Sequence, residues 1–263
     1  MAIIPPLEET EKGERAAMKV VMDTQSYQVQ AHLEREEVKG KRLKTFLELV
    51  GGLAPKVEIA YPAKPLTKEA FSGATLLVST TRTAPTSAAE ADAVYDFVAA
   101  GGRLLMMSNH QPNEVSDNAA VSRLGFVFEP TSFKTPDKMT LTYIANNLLS
   151  DHEIITGWDR KEPAVKVIVA NSTGSVWHKT GRPLAYLSPT VLDRYKGQSV
   201  DGRVYAVAFN GARGDLGACK GKVIAHADSD ILGEPGTTWP GRGILGEGDN
   251  LLFTKRMLQW LVR

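Results

Sequence analysis

Three side chains capable of proton transfer or metal binding alternate along residues 226–230: His226, Asp228 and Asp230. Successive side chains of an extended chain point to opposite faces, so these three would share one side. An imidazole oriented by a carboxylate can act as a general base, and the three groups together could instead bind a divalent ion. A structural interpretation has Asp228 and Ser229 cap a turn while a backbone carbonyl satisfies the imidazole.

Ser108 is the candidate nucleophile, because it follows the apolar run 103–107 at the point where a strand gives way to a loop. A strained nucleophile turn needs small residues on both sides of the serine, as in G-x-S-x-G. Here the flanking residues are Met107 and Asn109. The sequence therefore favours a Ser108 that forms hydrogen bonds within its loop over one that attacks a substrate.

Other polar residues that follow predicted strands are candidates for ligand binding, because open α/β sheets bind ligands beyond the carboxyl ends of their strands. The predicted ligand-binding residues are Asp23, Gln25, Arg82, Asn109, His110, Asp230 and Trp239. Arg82 is predicted either to bind an anion or to be a solvated loop charge, since arginine prefers surfaces. Trp239 lies in the glycine-rich loop 233–248, which is interpreted either as a lid or as a long connection.

The elements that would position these residues alternate between strands and amphipathic helices. Strands are predicted at 19–23, 57–61, 74–80, 103–107 and 222–227, and helices at 39–50, after Ser87, at 118–124 and from 249 onwards. Ser87 and Glu90 have the spacing of a capping box at the start of the second helix. This alternation predicts an α/β fold with a doubly wound, mainly parallel, flavodoxin-like sheet.

Between residues 126 and 210 the pattern changes to short strand candidates separated by turn residues. These candidates lie at 126–129, 165–170, 175–178, 183–187 and 205–210. We interpret them as a β-rich insertion that either extends the sheet or adds a separate layer. Residues 19–263 are accordingly predicted to form one α/β domain, with residues 1–18 as an N-terminal extension.

Composition excludes several functional classes. The 263 residues are 43% hydrophobic, and 31 Lys and Arg nearly balance 30 Asp and Glu, so no overall field favours nucleic acid or an anionic membrane. One cysteine, Cys219, permits neither an internal disulfide nor a cysteine-built metal site. No membrane span, signal peptide or nucleotide-binding glycine motif is recognised, so a cytoplasmic protein without a cofactor is expected.

Four segments taken in chain order, at 20–26, 87–105, 221–230 and 250–253, resemble the class I glutamine amidotransferase-like superfamily. The similarity is closest to its non-enzymatic branch, which includes gliding-motility, intraflagellar-transport and ThuA-like proteins. In catalytic members a cysteine follows the strand equivalent to 103–107, and a histidine and a glutamate follow the last strand. The resemblance places Ser108, His226 and Asp228 at those positions, with Cys219 on a different loop. It therefore implies that amidotransferase chemistry is lost.

Two functional hypotheses follow. The first is a binding domain for a small ligand or a protein partner, with homo-oligomer formation left open. The resemblance implies a carbohydrate as one such ligand, on which Trp239, Trp177 or Tyr186 could stack. The alternative is a serine hydrolase in which Ser108 attacks an ester, His226 takes its proton and Asp228 orients the imidazole.

Overall fold

The computed structural model describes residues 17–263 apart from 64, 111, 135–140, 146–147, 149–150, 160, 172, 189–190, 195, 201, 212–218 and 236–242. Trp239 and most of the predicted extension therefore lie outside the described residues. The first strand begins at Met18, one residue inside that predicted extension.

In chain order the strands of the described residues are β1 (Met18–Met22), β2 (Val57–Ala60), β3 (Ala74–Ser79), β4 (Arg103–Met107), β5 (Phe126–Glu129), β6 (Phe133–Lys134), β7 (Leu141–Ile144), β8 (Ile168–Asn171), β9 (Ser175–His178), β10 (Arg182–Tyr186), β11 (Leu192–Asp193), β12 (Val204–Asn210) and β13 (Lys222–His226). The α-helices are α1 (Tyr27–Glu34), α2 (Lys44–Gly51), α3 (Ala88–Ala99), α4 (Glu114–Val121), α5 (Glu153–Thr156) and α6 (Asn250–Val262).

The predicted α/β class is confirmed by a seven-stranded main sheet with the order β10-β12-β13-β4-β3-β1-β2. Five strands, β2, β1, β3, β4 and β13, run parallel to one another. Strand β12 pairs antiparallel with β13, and β10 pairs antiparallel with β12. The central strand β4 buries four of its five residues, as expected for a parallel strand covered on both faces. The carboxyl ends of the five parallel strands consequently lie along one edge.

The capping box predicted for α3 is present. Ser87 Oγ accepts a hydrogen bond from the backbone N–H of Glu90 (3.3 Å), and Glu90 Oε2 accepts one from the backbone N–H of Ser87 (3.1 Å). Gly101, with φ of 111°, follows the end of α3 in a conformation that other residues rarely adopt. This turn leads the chain directly into β4.

Helix α1 was not predicted, and two other helices differ from prediction at their first residues. The buried residues of α1 are Gln28, Val29, Ala31 and His32, so half of its inner face is polar and hydrophobic periodicity does not detect it. Helix α2 begins at Lys44 rather than 39. Helix α4 begins at Glu114 rather than 118 and continues into a 3₁₀ turn at Ser122–Leu124.

The β-rich extension is also present. Strands β5 with β9, β7 with β8 and β6 with β11 form two-stranded antiparallel sheets, while β10 and β12 widen the main sheet. Strands β6, β7 and β11 are only two to four residues long and were not predicted. None of the helices in the described part of the chain has the length and apolar character needed to cross a bilayer.

Candidate functional site

A cleft of about 230 Å³ lies beyond the carboxyl ends of the parallel strands, where the topology predicts a ligand site. Its walls are formed by Tyr27, Thr81, Thr83, Asn109, His110, Asn113, Ser229 and Asp230. Three of the predicted ligand-binding residues, Asn109, His110 and Asp230, therefore contribute to this cleft. We call it the strand-end cleft.

Asp23, Gln25 and Arg82 belong instead to a buried network that we call the Arg82 cluster, together with Ser79 and Glu90. Arg82 Nη1 donates to Asp23 Oδ2 (2.9 Å) and Arg82 Nη2 donates to Glu90 Oε1 (2.8 Å). Ser79 Oγ also donates to Asp23 Oδ2 (2.7 Å), and Gln25 Nε2 donates to Glu90 Oε1 (2.6 Å). Arg82 is only 2% exposed, so it is not a solvated loop charge. The anions that it binds are carboxylates of the protein itself.

The Arg82 cluster connects the ends of β1 and β3 to the first turn of α3. Burial favours a raised pKa for the Glu90 carboxyl, but hydrogen bonds from the Ser87 backbone and from Arg82 outweigh it and lower the pKa. Glu90 is therefore ionised at neutral pH. Its charge serves both the capping box and the bond to Arg82.

A second network, the Asp230 cluster, consists of Gln28, Arg42, Asn171, Asp228 and Asp230. Asp230 Oδ1 accepts from Gln28 Nε2 (3.0 Å) and from Arg42 Nη2 (3.3 Å), and Asp230 Oδ2 accepts from Asn171 Nδ2 (3.0 Å). Asp228 accepts from the backbone N–H groups of Asn171 (2.7 Å) and Asp230 (2.9 Å). Asp228 thereby caps the 3₁₀ turn at Ser229–Leu232. The cluster joins β8, α1 and the turn after β13.

The Asp230 cluster contains two carboxyl groups, and Arg42 pairs with that of Asp230. Burial, followed by the negative charge of Asp230, raises the pKa of Asp228 to about 8, against the hydrogen bonds from Asn171 and Asp230. Burial also raises the pKa of Asp230, and the charge of Arg42 opposes that shift. At neutral pH Asp228 is therefore mainly protonated, and Asp230 is the carboxyl group that contacts Arg42.

His226 is fully buried at the end of β13. Its Nδ1 atom lies 2.8 Å from the carbonyl oxygen of Asp228 and 3.1 Å from the Asp228 amide nitrogen. Burial lowers the pKa of His226 to about 3, so the imidazole is neutral. Nε2 is buried with no hydrogen-bond partner among the described residues, beside the ring of Tyr205 at a centroid distance of 4.4 Å. This environment matches the structural interpretation of the segment.

Ser108 is adjacent to His226, but their side chains are not hydrogen-bonded. The Ser108 backbone N–H donates to the His226 carbonyl oxygen (2.9 Å), whereas Ser108 Oγ donates to Asp117 Oδ2 (2.6 Å). Burial raises the pKa of Asp117 to about 8, opposed by the bonds from Ser108 and from the Arg82 N–H. The carboxyl of Asp228 is bonded to backbone amides rather than to the imidazole. Neither side-chain hydrogen bond that the hydrolase alternative requires is formed.

The divalent-ion alternative for His226, Asp228 and Asp230 is not accompanied by a suitable ligand set. Within the described part of the chain, no group of three or more His, Cys, Asp or Glu side chains is arranged to hold a metal ion. The carboxylate oxygens of Asp228 and Asp230 already accept protein hydrogen bonds. Arg42 already supplies a positive charge beside Asp230.

No protein-family model matches the sequence, and no curated protein matches it. Among solved structures, the mmIFT52 N-terminal domain is similar with a TM-score of 0.68 at 13% identity, over 93% of this chain and 97% of that one. A ThuA-like protein from Bacteroides uniformis has a TM-score of 0.53 at 16% identity, over 95% and 94%. The fold is that of the ThuA-like proteins.

A cytoplasmic protein from Salmonella typhimurium LT2 is also similar, with a TM-score of 0.51 at 13% identity over 93% of this chain and 99% of that one. At such identities the likeness concerns the fold alone. The ThuA-like fold was expected from the sequence. The residues that the sequence resemblance suggested as counterparts of a catalytic triad, Ser108, His226 and Asp228, are each fully buried.

Proposed function

We propose that the protein is a binding domain whose strand-end cleft takes a small, uncharged, hydroxyl-rich ligand such as a carbohydrate, without catalysis. The observation that carries the proposal is the lining of the cleft. It combines hydroxyl groups, side-chain amides, the phenol ring of Tyr27, the imidazole of His110 and one carboxyl group, while the candidate nucleophile Ser108 is fully buried and bonded to Asp117.

The hydrogen bonds already present determine what the cleft offers a ligand. Asn109 Oδ1 accepts from the His110 backbone N–H (2.7 Å), so its Nδ2 group is the donor that remains for a ligand. Thr81 Oγ1 donates to Ser229 Oγ (2.8 Å), so the Ser229 hydroxyl hydrogen remains to be donated. Tyr27 adds an aromatic surface on which C–H groups of a sugar ring can pack.

Charge and size support an uncharged ligand. Asp230 is balanced by Arg42, and hydroxyl and amide groups make up most of the remaining lining. The volume of about 230 Å³ is below the roughly 300–1,000 Å³ of sites for drug-sized molecules. A monosaccharide-sized ligand fits this description better than a nucleotide or a peptide.

The test is calorimetric titration of the protein with a panel of neutral mono- and disaccharides, followed by the variant Asn109→Ala. Loss of one hydrogen bond to the ligand should weaken binding about tenfold. Gln198→Ala, which removes a side-chain amide from an exposed position outside the cleft, should bind like the parent protein. A panel without any binder, or equal affinity in Asn109→Ala, would contradict the proposal.

A further inference from the structure

A second cleft, of about 220 Å³, lies at the opposite edge of the main sheet. It is formed around the first residue of β13 and the last residue of β12, which pair with each other. The side chains that define its chemistry are His152, Glu153, Thr180, Arg182, Lys222 and Trp260. Because it shares no lining residue with the strand-end cleft, the two can be tested separately.

Two cations lie in the wall of this cleft. Lys222 Nζ donates to the carbonyl oxygen of Trp260 (3.0 Å) and lies 4.9 Å from the centroid of the Trp260 ring, which fixes its ammonium group. Arg182 Nη2 lies 2.9 Å from Asp151 Oδ2, and the two side chains are 53% and 69% exposed. Solvent weakens such an exposed pair, so Arg182 can exchange Asp151 for another oxyanion at little cost.

His152 supplies a neutral donor. Its Nδ1 accepts a hydrogen bond from the backbone N–H of Ile154 (3.2 Å), which caps α5 and places the ring proton on Nε2. Burial lowers the pKa of His152, in agreement with a neutral ring. The side chain is 3% exposed, and Nε2 forms no hydrogen bond with the described residues but is not sealed from solvent.

Thr180 and Glu153 complete the polar lining. The Thr180 hydroxyl oxygen is buried without a hydrogen-bond partner in the described part of the chain. Glu153 Oε1 accepts from Trp260 Nε1 (3.0 Å), so the one carboxylate of the wall is already engaged. The wall therefore carries one net positive charge, and neither the Thr180 hydroxyl nor His152 Nε2 donates to another residue within the described ranges.

We propose that this second cleft binds a small oxyanion, either a phosphate or a carboxylate group, between Arg182, Lys222 and His152. An oxyanion accepts several hydrogen bonds at once, and bonds between charged groups are stronger than those between neutral ones. It would satisfy the Nε2–H group of His152 and compensate the net charge of the wall. A neutral polyol of the kind proposed for the strand-end cleft offers no charge to Arg182 and Lys222.

The experiment measures thermal stability and binding heat with inorganic phosphate and, separately, with succinate, against sodium chloride at equal ionic strength. A ligand that binds only the folded state raises its melting temperature, so a rise above the chloride control is expected with at least one anion. A response to phosphate alone or to succinate alone supports the site and identifies the group that it takes.

Three variants make the test specific. Arg182→Gln removes a cation, and His152→Asn retains an acceptor that can cap α5 while removing the Nε2–H donor; each should weaken anion binding about tenfold or more. Lys179→Gln removes an exposed cation next to Thr180 but outside the wall and should leave binding unchanged. The proposal is overturned if neither anion binds the parent protein, or if Arg182→Gln and His152→Asn bind as tightly as it does.

Discussion

The Arg82 cluster and the Asp230 cluster both bury arginine and carboxyl groups beneath the same edge of the sheet, but they balance charge differently. Arg82 forms hydrogen bonds to Asp23 and Glu90 through separate nitrogen atoms. In the Asp230 cluster, Arg42 pairs with Asp230 and also donates to Gln28 Oε1 (2.7 Å), and burial, followed by the negative charge of Asp230, raises the pKa of Asp228 to about 8. The first cluster is thus held by ionised groups, whereas the second depends on a proton that can be removed.

This difference matters for function because Asp230 and Ser229 line the strand-end cleft. None of the five residues of the Arg82 cluster lines the cleft. Conditions that ionise Asp228 should therefore disturb the cleft through the Asp230 cluster. The predictions that follow test this contrast, from the largest expected effect to the smallest.

Removing the central charge of the Arg82 cluster should have the largest effect. Arg82→Met leaves Asp23 and Glu90 buried without their cation, and breaking a buried ion pair in this way costs about 3–5 kcal/mol of unfolding free energy. Urea denaturation measures the loss. The control is Arg182→Met in chloride buffer, because the Arg182–Asp151 pair has the same 2.9 Å separation but is exposed; it should cost below about 1 kcal/mol. Similar losses in both variants would contradict the assignment.

The Asp230 cluster should make the protein less stable as pH rises. In the unfolded chain an aspartate loses its proton near pH 3.8, but folded Asp228 retains it to about pH 8. Between these values the folded state binds more protons, so stability falls with increasing pH, by at most about 1.4 kcal/mol per pH unit for one group. Asp117, whose pKa is also raised to about 8, contributes a second decline of the same sign.

Asp228→Asn should remove the decline that is due to Asp228. We expect urea denaturation from pH 6.5 to pH 8 to give a shallower loss of stability in this variant, by up to about 1.4 kcal/mol per pH unit. Asp92→Asn neutralises an exposed carboxyl group and should run parallel to the parent protein. If Asp228→Asn also runs parallel, Asp228 is ionised throughout and the two clusters do not differ as described.

The sequence predicts the parallel strands and their helices well, because the signals for these elements lie within short segments of the chain. Strand β4 was predicted with its observed bounds because its residues are apolar on both faces, and α3 was predicted from a capping box that spans four residues. Helix α1 was missed because it turns Gln28 and His32 inward. Those polar residues are buried only because partners from other elements are available, which hydrophobic periodicity cannot reveal.

The candidate site residues were recognised from the sequence, but most of their hydrogen-bond partners were not, because those partners come from distant elements. Asp228 and Asp230 were recognised as candidates, but their partners are distant: Arg42 is 188 residues from Asp230, and Asn171 is 59. The Ser-His-Asp arrangement was taken from the resemblance to amidotransferases. Strands β4 and β13 are neighbours, but Ser108 and Asp228 bond to other partners. The sequence did not reveal that Asp117, only nine residues from Ser108, takes up the serine hydroxyl. Asp117 lies just before the helix predicted at 118–124, and no local pattern marked it as a candidate.

The smallest effect is expected at Ser108, which lies between the clusters. The Ser108 hydroxyl donates to Asp117 Oδ2, and the other oxygen of Asp117 accepts from the Arg82 backbone N–H (2.9 Å). The Ser108 backbone N–H donates to the carbonyl oxygen of His226. Ser108→Ala removes one hydrogen bond and should cost about 1 kcal/mol of unfolding free energy. Because that hydroxyl is engaged by Asp117 and not by His226, hydrolysis of short acyl esters should be equally low in both proteins. A serine-dependent rate in the parent protein would instead mean that Ser108 leaves Asp117 for His226 when a substrate binds.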